Sequence, residues 1–372
     1  MSGAAIHAAI HAIVMPKWGM AMDQGTVTAW LAAEGSSVAT GQEIVEIESA
    51  KAAAAVEAKV AGVLRRVAEV GAVLPVGGLV GVIAESGASD QAVADYIAAH
   101  KDEIAATGAE QGPVPRLIEV GGRRLNCLDV GAGGEAVLLV HGFGGDLRGW
   151  GLVHDLLAGA LRVVAFDLPG HGGSDPELGE GTPAALAALV PELATALGLK
   201  RVHLVGHSLG GAVAIAAAAA AGPGLIASLT LIASAGLGAE IDGGYIAGFL
   251  AAKRRRDLKE VVERLFADPA FVTGAMIEDI LRMRRMDGVD EALRRLAARC
   301  FPDGRQAEFG LRAAFLGLPQ PSQVIWGADD RIIPAAHVAG LAKATVLAGA
   351  GHMVQIERAD EVARLILELA RS

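Results

Sequence analysis

The chain has 372 residues, 52% of them hydrophobic, and a formal net charge of −10. That length predicts two or three domains with a sizeable core, and an acidic balance without a basic stripe excludes nucleic acid as the expected partner. The two cysteines, Cys127 and Cys300, stand far apart without metal-site neighbours, so reduced thiols in a cytoplasmic protein and no metal are expected.

Residues 1–12 read as a loose leader without the basic start and apolar core of a signal peptide. From 13 to 86, short strands alternate with glycines and the sequence repeats itself. Gly35, Val38, Gly41, Ile44 and Ile47 recur thirty-six positions later as Gly71, Leu74, Gly77, Val80 and Ile83. Two similar four-strand halves predict a small all-β, two-sheet sandwich, each half covering the apolar face of the other. Between the halves, Glu46-Ile47-Glu48-Ser49-Ala50-Lys51-Ala52-Ala53 predicts a hairpin with Lys51 exposed at its tip.

This segment resembles a lipoyl domain of 2-oxo acid dehydrogenase-type complexes. Met15-Pro16-Lys17-Trp18-Gly19 and Val73-Leu74-Pro75-Val76-Gly77 match the usual framing of that family. The resemblance implies lipoic acid attached covalently to Lys51. Ala50 stands where the family usually carries Asp, a residue that helps the ligase recognise the turn. The Met-Lys-Met of biotinyl domains is absent, which makes biotin the poorer reading.

Residues 87–115 read as a linker. Val93, Ile97 and Ile104 predict one short amphipathic helix over 89–106, and the Gly/Pro-rich stretch 107–115 breaks it. Its five acids against Lys101 do not fit the basic, two-helix subunit-binding module that lipoyl-bearing transferases often place here.

From 116 to 372, apolar strands alternate with helices. Strands are expected at 135–140, 162–166, around Val202, at 228–233, 322–326 and 345–347. Helices are expected at 183–197 and 212–221. This order predicts a mostly parallel sheet with helices on both faces. The apolar run 209–221 is too short to span a membrane. Residues 237–318 interrupt the strand pattern and predict a helical cap. Within it, 253–299 hold twelve bases against nine acids, either a solvated helix face or a landing surface for an acidic carrier domain or a phosphate-rich acyl carrier.

Four motifs fall at predicted strand ends. Gly206-His207-Ser208-Leu209-Gly210 reads as a strand–turn–helix elbow that lifts Ser208 to a helix N-terminus. His141-Gly142-Phe143 leaves backbone N–H groups free, so Phe143 and Leu209 together are expected to form an oxyanion hole. Gly327-Ala328-Asp329-Asp330 offers an acid, and Gly349-Ala350-Gly351-His352 a base. The order Ser, Asp, His resembles the α/β-hydrolase fold. That family's Gly-x-x-Asp, with Pro four residues on, falls on Asp330 and Pro334, which leaves Asp329 as a turn or capping residue. A hydroxyl near neutral pH is a poor nucleophile, so Ser208, His352 and Asp330 are needed together.

A carrier domain joined to a serine acyl-transfer domain resembles the acetyltransferase components of acetoin dehydrogenase complexes. The resemblance implies a homo-oligomer that passes acetyl from lipoyl-Lys51 to coenzyme A. It implies two partners, a thiamine-dependent acetoin-cleaving component and dihydrolipoyl dehydrogenase. The His-x-x-x-Asp-Gly signature of the usual 2-oxo acid transferase core is absent: Asp-Gly occurs at Asp242, Asp287 and Asp303, none with His four residues before. Acyl chemistry therefore falls to Ser208. A serine esterase or thioesterase riding on a carrier, and a carrier or scaffold with an idle serine, are the alternatives.

Overall fold

The computed structural model describes residues 10–16, 24–48, 53–85, 88–109, 113–221, 224–307 and 309–371. Lys51 and residues 17–19 of the framing motif lie outside the described residues. The chain divides into two compact units, Met1–Gly112 and Pro113–Ser372.

The N-terminal unit contains β1 (Ile10–Val14), β2 (Gln24–Trp30), β3 (Ser37–Val38), β4 (Glu43–Glu48), β5 (Ala53–Glu57), β6 (Gly62–Arg66), β7 (Val73–Pro75) and β8 (Leu79–Ala84). Among the described residues these form two four-stranded sheets, in the orders β1-β8-β6-β3 and β5-β4-β2-β7. Each sheet takes strands from both halves of the repeat, so the halves interleave instead of one stacking on the other. Interleaving gives β4, which buries Ile44, Val45 and Ile47, and the wholly buried β8 a hydrogen-bonding partner on each side and leaves neither as an exposed edge. The repeated glycines have one cause. Gly35 and Gly71 (φ 72° and 91°), like Gly41 and Gly77 (φ 81° and 83°), hold equivalent left-handed turns.

One face of β8 turns Val80 and Ile83 into the sandwich core, with Ile13, Ile44, Ile47 and Leu64. The other face turns Leu79, Val82 and Ala84 outward. There Val93, Tyr96 and Ile97 of α1 (Asp90–Ala109) cover them, and Arg65 pairs with Asp90 at 2.8 Å. The first turns of the helix expected in the linker are therefore part of the folded unit, because the outer face of β8 is too apolar to leave in water.

The C-terminal unit begins with β9 (Arg116–Val120) and β10 (Arg123–Val130). It continues through β11 (Glu135–Val140), α2 (Gly151–Ala158), β12 (Arg162–Phe166), α3 (Pro183–Ala187), α4 (Leu189–Ala196), β13 (Arg201–His207), α5 (Leu209–Ala220) and β14 (Ile226–Ile232). The helices α6 (Gly243–Ala251), α7 (Arg255–Val262), α8 (Gly274–Arg284) and α9 (Val289–Cys300) form the cap, and α10 (Leu311–Leu316) returns to pack against α5. The chain ends with β15 (Ser322–Gly327), β16 (Ala344–Leu347), α11 (Val354–Glu357) and α12 (Ala359–Ala370).

Among the described residues the sheet order is β16-β15-β14-β13-β11-β12-β10-β9. It is parallel from β12 through β16, while β9 and β10 add an antiparallel edge. Residues 137–140 of β11 are fully buried, as a sheet covered on both faces requires. The chain leaves β11 for β12 on one side and returns to β13 on the other. Sheets of this kind hold their sites at such a reversal, here beyond the C-terminal ends of β11 and β13.

Candidate active site

Ser208 follows β13 with φ 53° and ψ −121°, a strained conformation for a residue with a side chain. The flanking glycines are steric requirements. A Cβ on Gly206 would lie 2.3 Å from Gly210 O, and one on Gly210 would lie 2.2 Å from Val140 O. Leu209 opens α5, so its N–H points out of the helix N-terminus. Among the described residues neither the Leu209 nor the Phe143 N–H has an acceptor.

Two buried imidazoles shape the loop that holds Phe143. His141 Nδ1–H donates to Gly142 O at 2.8 Å and its Nε2 accepts Leu168 N–H at 2.9 Å. His171 Nδ1–H donates to Pro169 O at 3.1 Å and its Nε2 accepts Gly144 N–H at 3.1 Å. Accepting at Nε2 requires neutral rings. Burial, reinforced by the neighbouring His141, pushes His171 down to about 3. Asp167 ties the same loop to its neighbour by accepting Leu147 N–H at 2.7 Å, Gly173 N–H at 2.8 Å and Asn126 Nδ2–H at 2.8 Å. Arg148 then joins this loop to the cap, pairing with Asp146 and, at 2.8 Å, with Asp279 of α8. Phe143 packs edge-on against Phe249 of α6 and Phe301, at centroid distances of 5.7 and 5.8 Å.

The depressed His171 ring predicts acid sensitivity with a definite sign. Above the ordinary value of 6.5 both folded and unfolded rings are neutral; from there down to about 3 only the unfolded ring binds a proton. Stability should therefore be complete above about pH 6.5 and fall as pH drops through that window. His171→Gln should remove about one proton from the slope, ~1.4 kcal/mol per pH unit, measured by denaturant unfolding across the window.

The structure brings Asp330 and His352 together. His352 Nδ1 lies 2.8 Å from Asp330 Oδ2, and the Asp330 carboxylate is fully buried. Asp330 Oδ1 accepts Ile332 N–H at 2.8 Å and Ile333 N–H at 3.0 Å. Asp329 turns away and accepts Gly349 N–H at 3.1 Å. His207, beside the serine, stacks obliquely on His352 at 4.8 Å, and its Nε2 lies 2.9 Å from His352 O. Trp150 meets the other side of the His207 ring edge-on.

Sequence reasoning missed Asp167, Arg148 and Glu357. Glu357 carried one signal: an acid closing the mostly apolar stretch Met353-Val354-Gln355-Ile356. The basic cap residues divide. Arg256 pairs with Glu260 and Lys259 with Glu263 on an exposed face. Arg284 instead is buried and donates to the carbonyls of Phe249, Leu250 and Ala252 at 2.6–3.0 Å. Among the described residues no His, Cys, Asp or Glu group could hold a metal ion, and no helix is long and apolar enough to cross a membrane.

A serine on a strained elbow after β13, with Asp330 and His352 arriving after β15 and β16 of the same parallel sheet, is the layout of an α/β hydrolase. The family model described as "Alpha/beta hydrolase family" matches residues 137–365, and one described as "Biotin-requiring enzyme" matches residues 11–83. The chain is 45% identical to the dihydrolipoyllysine-residue acetyltransferase component of acetoin cleaving system from Pseudomonas putida, over 97% of this chain and 99% of that protein. It is 45% identical to the component of the same name from Cupriavidus necator, over 95% and 96%. The solved 2-hydroxy-6-oxo-6-phenylhexa-2,4-dienoate hydrolase from a Rhodococcus species covers 70% of this chain and 99% of its own. It superposes with a TM-score of 0.61 at 24% identity, a likeness of fold. The chain thus belongs to the alpha/beta hydrolase family, in the branch that those two acetyltransferase components represent, with a lipoyl-type domain ahead of the hydrolase.

Proposed function

We propose that this chain is the acetyltransferase component of an acetoin-cleaving system, carrying acetyl on lipoyl-Lys51 and delivering it to coenzyme A through Ser208. The observation that carries the reading is the buried Asp330–His352 pair, 2.8 Å apart, in a chain aligned end to end with relatives of that name. The residues present fit a covalent arm. Glu48 pairs with Ala53 across β4 and β5, so residues 49–52 alone join the strands, and Lys51 is among them. When attached, a lipoyl group supplies acetyl as a thioester at the end of a long tether.

The protein's own residues then act in turn. His352 takes the Ser208 hydroxyl proton as Oγ bonds to the carbonyl carbon of a thioester substrate. The N–H groups of Phe143 and Leu209 hold the oxyanion that forms. Collapse breaks the carbon–sulfur bond, and the leaving thiol takes the proton from His352, which leaves Ser208 acetylated. The coenzyme A thiol passes its proton to His352 and attacks the ester carbon. Acetyl-coenzyme A departs, and Ser208 recovers its proton. Asp330 stabilises the imidazolium in both halves. In this reading a thiamine-dependent acetoin-cleaving component supplies the acetyl group and dihydrolipoyl dehydrogenase closes the redox cycle. The working form is a homo-oligomer in the cytoplasm.

The test is to acetylate the lipoylated protein chemically, add coenzyme A and quantify products. Acetyl-coenzyme A supports transfer; free acetate alone supports the esterase or thioesterase reading, which the alpha/beta hydrolase family match favours. Lys51→Arg should lose the lipoyl mass increment in intact mass spectrometry and all transfer from the carrier. It should still react with a fluorophosphonate at Ser208. A retained increment would place the arm on another residue.

A further inference from the structure

The loop that carries His352 is knotted to the cap. The N–H groups of His352 and Met353 both donate to Leu265 O, at 2.8 and 3.1 Å. Glu357, the last residue of α11, is buried beneath that loop. Its Oε2 accepts Gly351 N–H at 2.6 Å, while its Oε1 accepts Ala267 N–H at 2.8 Å and Asp268 N–H at 3.2 Å. Gly351 adjoins the base; Leu265, Ala267 and Asp268 belong to the cap between α7 and α8. The approach is close enough to demand glycine. A Cβ on Gly351 would lie 2.7 Å from Ala267 N and 2.8 Å from Leu265 O.

We propose that Glu357 is a positioning residue: its carboxylate holds the His352 loop against cap residues 265–268 and so fixes the imidazole for proton transfer at Ser208. The inference rests on the reading of Ser208 as the nucleophile. A carboxylate suits the place because it only accepts, and three N–H groups point at it. The amide of a glutamine would set a donor against one of those donors. The tie would then hold on one side only, either the loop or the cap. Small displacements of a proton-transfer group weaken catalysis far more than binding.

The full chain carrying Glu357→Gln is assayed with p-nitrophenyl acetate and, separately, for its rate of Ser208 labelling by a fluorophosphonate, well below its thermal midpoint. The expected result is a fall of about 10- to 100-fold in kcat and in labelling rate, with KM changed less than about threefold. A purely structural role would lower the thermal midpoint and leave both rates at wild-type values, and that outcome overturns the proposal. Gly351→Ala keeps Glu357 but drives the cap segment away, and should reproduce the kcat loss. If Glu357→Gln does not fold, this variant decides: a loss of kcat at constant KM supports the proposal and an unchanged kcat overturns it. A wild-type Ser208 inert to the phosphonate overturns the acyl-transfer reading together with this inference. A reactive wild type matched by an equally reactive Glu357→Gln overturns this inference alone.

Discussion

Ser208→Ala is expected to lower acetyl transfer to coenzyme A by about 10⁴- to 10⁶-fold, because nothing else at the elbow can form the ester intermediate. The fold should survive. The bonds that Ser208 makes to its surroundings run through its backbone: its N–H donates to Ile232 O at 3.0 Å, and its carbonyl accepts Gly211 N–H and Ala235 N–H, both at 2.9 Å, and Ala212 N–H at 3.4 Å. Alanine keeps all four. The strain sits in the backbone, since φ at 53° with ψ at −121° costs roughly 1–3 kcal/mol for a residue with a Cβ. Ser208→Gly should therefore raise the thermal midpoint while abolishing activity, as expected of strain retained for function. Acetyl-coenzyme A formation by the reconstituted complex is the measurement. Full turnover by Ser208→Ala would leave the chain as a carrier or scaffold with an idle serine.

The elements that place Ser208, Asp330 and His352 were legible because each strand before them is an apolar run too short for a helix. A parallel sheet covered on both faces writes such runs into the sequence. The strands β9 and β10 were not read. Their charges hid them: Asp129 is held on β10 by Arg162 at 2.8 Å and Arg116 at 3.0 Å, so a charged pattern accompanied a paired strand. The remaining signal was Gly121-Gly122, two left-handed residues between alternating runs, a hairpin mark. In the N-terminal unit the repeat revealed equivalent strands but not their pairing. A thirty-six-residue period is satisfied equally by halves that stack and halves that interleave. Arg284 reads as one more surface base because nothing local announces that the carbonyl end of α6 will be buried against it. Glu357 escaped for the same reason: its three donors come from residues 6 to 90 positions away.

Asp330→Asn should lower kcat by about 10⁴-fold with a small change in KM, and the reason lies in which oxygen faces which donor. Asp330 Oδ1 is fixed as an acceptor by the N–H groups of Ile332 and Ile333. An asparagine must keep its oxygen there and turn its NH₂ toward His352 Nδ1, where Oδ2 stood 2.8 Å away. Facing a donor, Nδ1 must accept, so the ring proton moves to Nε2 and points at the serine. The imidazole is then present but cannot take the hydroxyl proton. Burial leaves no water to compensate, because the Asp330 carboxylate is fully enclosed and the His352 ring is only 3% exposed. Asp329→Asn is the matched control. Its carboxylate accepts one N–H, from Gly349, and its amide oxygen can go on doing so; activity should stay within about threefold. Steady-state kinetics with acetylated carrier and coenzyme A separate the two acids. A tenfold or smaller loss in Asp330→Asn, or a comparable loss in Asp329→Asn, would remove Asp330 from its place behind the base.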